Sequence, residues 1–207
     1  MNVGNLITSA FAVALSRHEQ LHLSWIRISS KIGSLLPDSL LMGSVQNVGQ
    51  LDMLLRCMED EFSSTDGEVD FQLHYQGMFS NIWIGSVYEF VSLLKTRKLL
   101  DHSPQFEALT HDLRLLRVPL EKHEIAADRK LAEPLTMKRL PPSTNNTDTY
   151  TYSKNSATRA HIMPFGLSSR GSMTWEVIDI ISNTTRWIER RALSERIMEL
   201  WAPKSSD

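Results

Sequence analysis

LTHDLRLLRVPLEKHEIAA, residues Leu109 to Ala127, is the stretch around which the rest of the chain is arranged. It places a proline, Pro119, between an arginine, Arg117, and a histidine, His123. Proline lacks an N–H, and its ring clashes with the preceding helical turn. A helix is therefore expected from about Gln105 to Leu116. At Pro119 it either kinks or stops, and in the second case a new helix starts with Pro119 in its first position. Leu120 to Ala127 reads as helix in both cases.

Upstream, apolar residues recur at helical spacing from Asn5 to Leu36: Leu6, Ala10, Ala14, Leu21, Trp25, Ile28 and Ile32. Gly33 and Pro37 punctuate that run. A second helix is expected over Ser44–Phe62, with Val48, Leu51, Leu55 and Met58 as its buried stripe. Glu59, Asp60 and Glu61 read as its solvated end. Ser63–Asp70 is a turn-rich loop. Phe71–Lys98 is apolar on most sides, which suits the middle of a bundle or an oligomer interface. Glu89 falls in that apolar region and needs a basic partner, which the central stretch can supply.

Downstream, the composition shifts over Asp128–Gly171, with Pro134, Pro141, Pro142 and Pro164 and a long polar run. Thr147–Tyr152 alternates like a strand, and Thr158–Met163 is its expected partner across a Lys154–Asn155 turn. A last helix is expected over Met173–Trp201, with Trp175, Ile178, Ile181, Ile188, Ala192 and Leu200 on its buried face. Arg186, Arg190, Arg191 and Arg196 lie among Glu189, Glu195 and Glu199, as in intrahelical ion pairs. The expected fold class is therefore all-α. Residues 1–207 form a single bundle of about five or six helices with a hairpin or irregular insertion at about 128–171.

The chain's 207 residues are 42% hydrophobic and 22% charged, ordinary values for a globular domain. A net charge of -2 argues against a protein that coats nucleic acid, but not against a local basic patch. Cys57 is the only cysteine, so no intrachain disulfide forms and a reducing, cytoplasmic setting is expected. No apolar run reaches the ~18 residues of a membrane span. The N-terminal MNVGNLITSAFAVALSRHEQ lacks the basic start of a leader and reads as the first helix. There is no Walker loop, nucleophile elbow or multi-cysteine site, and no cofactor is expected.

An arginine and a histidine together can cut RNA without metal. The imidazole takes a proton from the 2′-hydroxyl or returns one to the leaving oxygen, and the guanidinium forks onto phosphate. Arg117 and His123 are the candidates, with Arg114 and Lys122 as flanking phosphate contacts. The plainer reading pairs Arg117 with Glu121 or Glu89 and leaves His123 as a surface or interface histidine.

On LRVPLEKHE, Leu116 to Glu124, the chain resembles the HEPN superfamily, whose motif is an arginine, four to six residues and a histidine. The resemblance implies an all-helical, often homodimeric protein. It also implies RNA binding and, where the motif is active, metal-independent RNA cleavage in bacterial defence or toxin–antitoxin systems. Arg117 would then bind phosphate and His123 move protons. Val118 stands where the family usually carries a polar residue. That departure favours the alternative, a non-catalytic dimeric interaction module with a protein partner from the same system.

His18–Glu19–Gln20–Leu21–His22 matches the H-E-x-x-H zinc pattern. A third ligand is missing from it, and Trp25 stands where the extended motif has glycine. A zinc hydrolase with Glu19 as general base is therefore the lesser reading, and two polar positions on an amphipathic first helix the preferred one. Lys95, Arg97 and Lys98 complement a helix C-terminus. Tyr150 and Tyr152 suit either base stacking or cross-strand packing.

Overall fold

A computed structural model of the chain describes residues 2–62, 71–100, 103–139 and 149–202. Among these residues are six helices and five strands, the strands forming two small antiparallel sheets. The fold is mixed α/β, which corrects the all-α expectation.

The run expected as one helix is two: α1 (Val3–Arg17) and α2 (Glu19–Gly33), separated by a non-helical His18. A single helix over this span would be about 46 Å long, against about 33 Å for α3 (Leu41–Phe62). The break lets both apolar patches lie on α3. Ala14 packs with Met53 and Cys57, while Trp25, Ile28 and Ile32 join the main core. α4 (Phe71–Thr96) follows α3 and packs against it. Trp83, Ile84, Val87, Phe90, Val91 and Leu94 are buried there, so the chain itself covers most of this apolar helix.

α5 (Pro104–Lys122) is capped by Ser103, whose hydroxyl accepts from the Phe106 N–H at 3.2 Å. It runs through Pro119 and stops at Lys122, so of the helix expected over Leu120–Ala127 only Leu120–Lys122 forms, as the last turn of α5. Proline in the last turn withdraws a donor from only one carbonyl, which the helix tolerates. His123 ends it in the left-handed region (φ 57°), with its N–H on the Pro119 carbonyl at 3.0 Å.

β1 (Leu135–Lys138) pairs with β2 (Thr149–Tyr152), Leu135 opposite Tyr152. The expected strand is thus present over 149–152, but its partner lies upstream; residues 158–163 form no strand. Thr147 and Asp148 lie outside the described residues. A second sheet has the order β3 (Phe165–Leu167), β4 (Met173–Asp179), β5 (Thr184–Glu189), followed by α6 (Arg190–Trp201). The long last helix is therefore a hairpin and a short helix. MTWEVID alternates strictly between more and less buried positions. The turn after it is built by Asp179, whose carboxylate accepts from the N–H groups of Ile181 (3.0 Å) and Ser182 (3.3 Å). Asn183 adopts φ 54° there, a conformation asparagine tolerates better than most residues. His111 on α5 holds the same carboxylate at 2.7 Å. Burial works against the ionised Asp179, but these hydrogen bonds prevail and hold its pKa down to about 2.

α6 is joined to α3 by a buried charge cluster. Arg190 is fully buried. It donates to Asp52 at 2.5 Å and Glu59 at 2.7 Å and lies over the Trp83 ring, 5.2 Å from its centre. Asp52 also accepts from the Trp25 indole N–H (3.0 Å) and the Ser194 hydroxyl (2.7 Å). The Ser172 hydroxyl donates to Glu59 at 2.8 Å. Glu59 is thus no solvated helix end, and Arg190 no member of an intrahelical pair. Burial works against an ionised Asp52, but Arg190 and Arg56 outweigh it and hold its pKa below the ordinary value. Burial pushes Glu59 up. Two glycines make the cluster possible. A Cβ on Gly49 would lie 2.5 Å from the Trp25 ring, and one on Gly171 (φ 70°) would lie 2.4 Å from the Glu59 carbonyl oxygen.

Removing one member of a buried ion pair leaves an uncompensated charge, at a cost of about 3–5 kcal/mol. Arg190→Met is expected to lower stability by that amount in urea unfolding. Arg170→Met, which removes a 40% exposed guanidinium from Glu189 and Glu195, is expected to cost no more than about 1 kcal/mol. Equal losses in the two variants would contradict the primacy of the buried cluster.

Candidate functional site

The end of α5 divides two clefts. Arg114, Val118, Lys122 and Glu124 face one, while Pro119, Leu120 and His123 face the other. A second segment shares the partition, with Arg159 on the first side and His161, Ile162 and Met163 on the second. The His161 N–H donates to the His123 carbonyl at 2.7 Å and ties the two segments together.

The first cleft, of ≈ 570 Å³, is basic. Arg114, Lys122, Arg129, Lys130, Lys154 and Arg159 line it, against two carboxylates, Glu124 and Asp128. Local turns set its floor. Ala127 takes the left-handed region (φ 61°) and leads into a single 3₁₀ turn, Asp128–Lys130. Buried Asp128 accepts from the Tyr152 hydroxyl and from Arg159, each at 3.0 Å. The Tyr152 oxygen accepts from the Ile125 N–H at 3.1 Å. Ile125, Leu131 and Tyr152 form a small core beneath, joined by Ile178 and Ile180. Arg159 also binds Glu124 at 2.6 Å, and Lys154 donates to the carbonyls of Arg129 and Leu131. Both carboxylates of the cleft are thus engaged by Arg159. Among the described residues, Arg114, Lys122, Arg129 and Lys130 have no carboxylate partner, and all four are exposed.

The second cleft, of ≈ 700 Å³, is mainly apolar, with Asn81 and three histidines, His74, His123 and His161, in its wall. His161 is buried, and burial lowers its pKa below the ordinary histidine value. His74 and His123 are exposed.

Two of the four residues singled out by sequence, Arg114 and Lys122, line the basic cleft together. Arg117 and His123 part company. Arg117 faces α4, donating to Glu89 at 3.1 Å and lying 5.2 Å from the centre of the Tyr88 ring, while His123 faces the apolar cleft. Glu89 has the expected basic partner, but its side chain is 66% exposed, so it is not the carboxylate in apolar surroundings that the sequence suggested. His18 and His22 address different parts of α3. His18 is 3.8 Å from Asp60, and His22 lies beside Gln46 and Gln50. Among the described residues no group of three or more His, Cys, Asp or Glu side chains is placed to hold a metal ion. None of their helices is long and apolar enough to cross a membrane.

Sequence reading missed Arg129, Lys130, Lys154, Arg159 and His161. The DRK triplet at 128–130 was the available signal, but only the fold brings Lys154 and Arg159 beside it. Comparison with known protein families, with characterised proteins and with solved structures finds no match to this chain.

His161 titrates at a lower pH folded than unfolded, so its contribution to stability is complete above the unfolded pKa of 6.5. It is lost as pH falls from there toward the folded value. His18, whose pKa burial also lowers, acts in the same window and the same direction. The melting temperature is expected to drop as the pH is taken below 6.5. In a His18→Gln, His161→Gln double variant that drop should be distinctly shallower. An unaltered slope would place the acid sensitivity elsewhere.

Proposed function

We propose that this protein binds RNA through the basic cleft at the end of α5, with Arg114, Lys122, Arg129 and Lys130 contacting phosphate oxygens. One observation carries the reading: four exposed cations without a carboxylate partner among the described residues surround a single cleft in a chain of net charge -2. A solvated face on such a chain normally mixes signs. Cations that converge in excess of the carboxylates beside them, here six against two, instead form an electrostatic footprint for a polyanion. All of them come from one chain, so binding does not depend on a second copy.

Cleavage is the second part of the proposal, favoured by the exposure of His123 next in the chain to Lys122. Its imidazole would take the 2′-hydroxyl proton or protonate the leaving oxygen. Arg117 faces α4, where it binds Glu89, and lines neither cleft, so it has no part in this proposal. The likeness of Leu116–Glu124 to the HEPN motif supports this part.

Fluorescence anisotropy with a short single-stranded RNA tests binding. Four phosphate contacts predict a slope of log affinity against log salt near -3, roughly -0.7 for each contact. Replacing all four cations by alanine is expected to flatten that slope and weaken binding by about 100-fold or more at low salt. Equal affinity of variant and parent would refute the cleft as the binding surface. Cleavage is read on gels with chelator present. His123→Ala is expected to abolish it while the circular dichroism spectrum stays unchanged. Undiminished cleavage would remove His123 from the reaction. RNA binding by the parent protein without cleavage would assign the chain to the non-catalytic, binding-only class.

A further inference from the structure

The geometry points to the apolar cleft as a pocket for an unstacked nucleobase of the same RNA strand whose phosphates occupy the basic cleft. This rests on the RNA-binding reading and adds to it the part of the strand that is held by its base.

The two clefts are neighbours. A partition one segment thick separates them, made by the end of α5 and residues 159–163 and closed by the His161-to-His123 hydrogen bond. A strand lying over that edge has charged oxygens on one side and flat rings free to turn to the other. Single-stranded RNA is held in this divided manner generally, by a cationic track for the backbone and an aromatic or apolar platform for unstacked bases.

The second cleft has that chemistry. Phe165 and Trp175 stand opposite each other in the β3–β4 ladder, so their side chains share one face of the sheet. Both line the cleft. Trp175 is 2% exposed and forms its floor, while Phe165 is 65% exposed. Ile162 and Met78 are also exposed beside it, at 64% and 41%. Exposed apolar side chains gathered at one cleft mark a binding surface, unlike apolar residues scattered singly. Asn81 supplies a donor and an acceptor on one planar group, and among the described residues its carboxamide has no hydrogen-bond partner. That pairing suits the edge of a base. Burial lowers the pKa of His161, which disfavours charge on that ring of the cleft wall.

The probe is a short single-stranded RNA and its counterpart of equal length with the bases removed but ribose and phosphate intact. The parent protein is expected to bind the base-free strand about tenfold more weakly, with the salt slope unchanged. The Phe165→Ala, Asn81→Ala double variant changes only exposed side chains. It is expected to lose a similar factor for normal RNA and nothing for the base-free strand. Its melting temperature, measured alongside, reports on folding. Equal binding of the two strands by the parent, with the steep salt slope intact, would overturn the base pocket and leave the phosphate cleft standing. Binding of neither strand would overturn both.

Discussion

A guanidinium with no access to water, clasped between two carboxylates, is the constraint on which the rest of the molecule depends. Arg190 begins α6, and its partners Asp52 and Glu59 lie two turns apart on α3. Isolated, any of the three would be strongly destabilising in such surroundings. Together they tolerate burial only in one arrangement, because the hydrogen bonds from Trp25, Ser194 and Ser172 must be met at the same time. Apolar packing would allow α6 to slide or turn on α3 at modest cost. The charge cluster does not. It fixes α6 relative to α3 and, through β5, which runs directly into α6, fixes the three-stranded sheet.

That sheet is what positions the clefts. β4 packs against α5 and α4. Trp175 on β4 closes one side of the apolar cleft, while Ile178, at its far end, joins the small core under the basic one. Three further polar contacts hold α5 to the closing elements. Asp112 binds Arg186 of β5 and Arg196 of α6, and His111 binds Asp179. The end of α5, with its left-handed His123, is therefore held from several directions, and a partition one segment thick can stand between two cavities without collapsing into either.

Much of the helical framework was legible because its signals are local. Apolar spacing located α2, α3 and α4, and the start of α5 was expected at about Gln105, one residue from its observed start at Pro104. The errors have a common cause: two periods fitting one string. In Met173–Ile188, Trp175, Ile178 and Ile188 sit at intervals that satisfy a helix, yet Met173, Trp175, Val177 and Asp179 satisfy a strand. The turn at Asp179–Asn183 decides between them, and its meaning depends on His111, far away in sequence. Arg190 misled for a similar reason. Among neighbouring glutamates it resembles a surface residue, and nothing nearby in the chain says that Asp52 and Glu59 await it. Of the site, Arg114 and Lys122 were legible from one helix. Arg159 and Lys154 reach the cleft through a strand pairing, β1 with β2, that sequence assigned to the wrong partner.

A plainer role for the basic cleft deserves weighing by magnitude. The C-terminus of α5 carries the negative end of a helix dipole, and cations near it are stabilising without any ligand. Lys122 in the last turn fits that description, and Lys154, resting on two carbonyls, neutralises exposed acceptors in the same way. But the dipole end amounts to only about half an elementary charge and acts over about one turn. Arg114 lies two turns back along α5, and Arg129 and Lys130 belong to a separate 3₁₀ turn. Glu124 and Asp128 are already engaged by Arg159. Six cations against two carboxylates leave a net of four positive charges, which half a charge cannot balance, and self-repulsion among them is a cost that folding alone gives no reason to bear. A polyanion laid along the cleft removes that repulsion and releases its own condensed counterions as it does so. The net positive charge at this one place, on a chain whose total is slightly negative, thus exceeds what the helix end accounts for, and the proposed phosphate contacts would offset it.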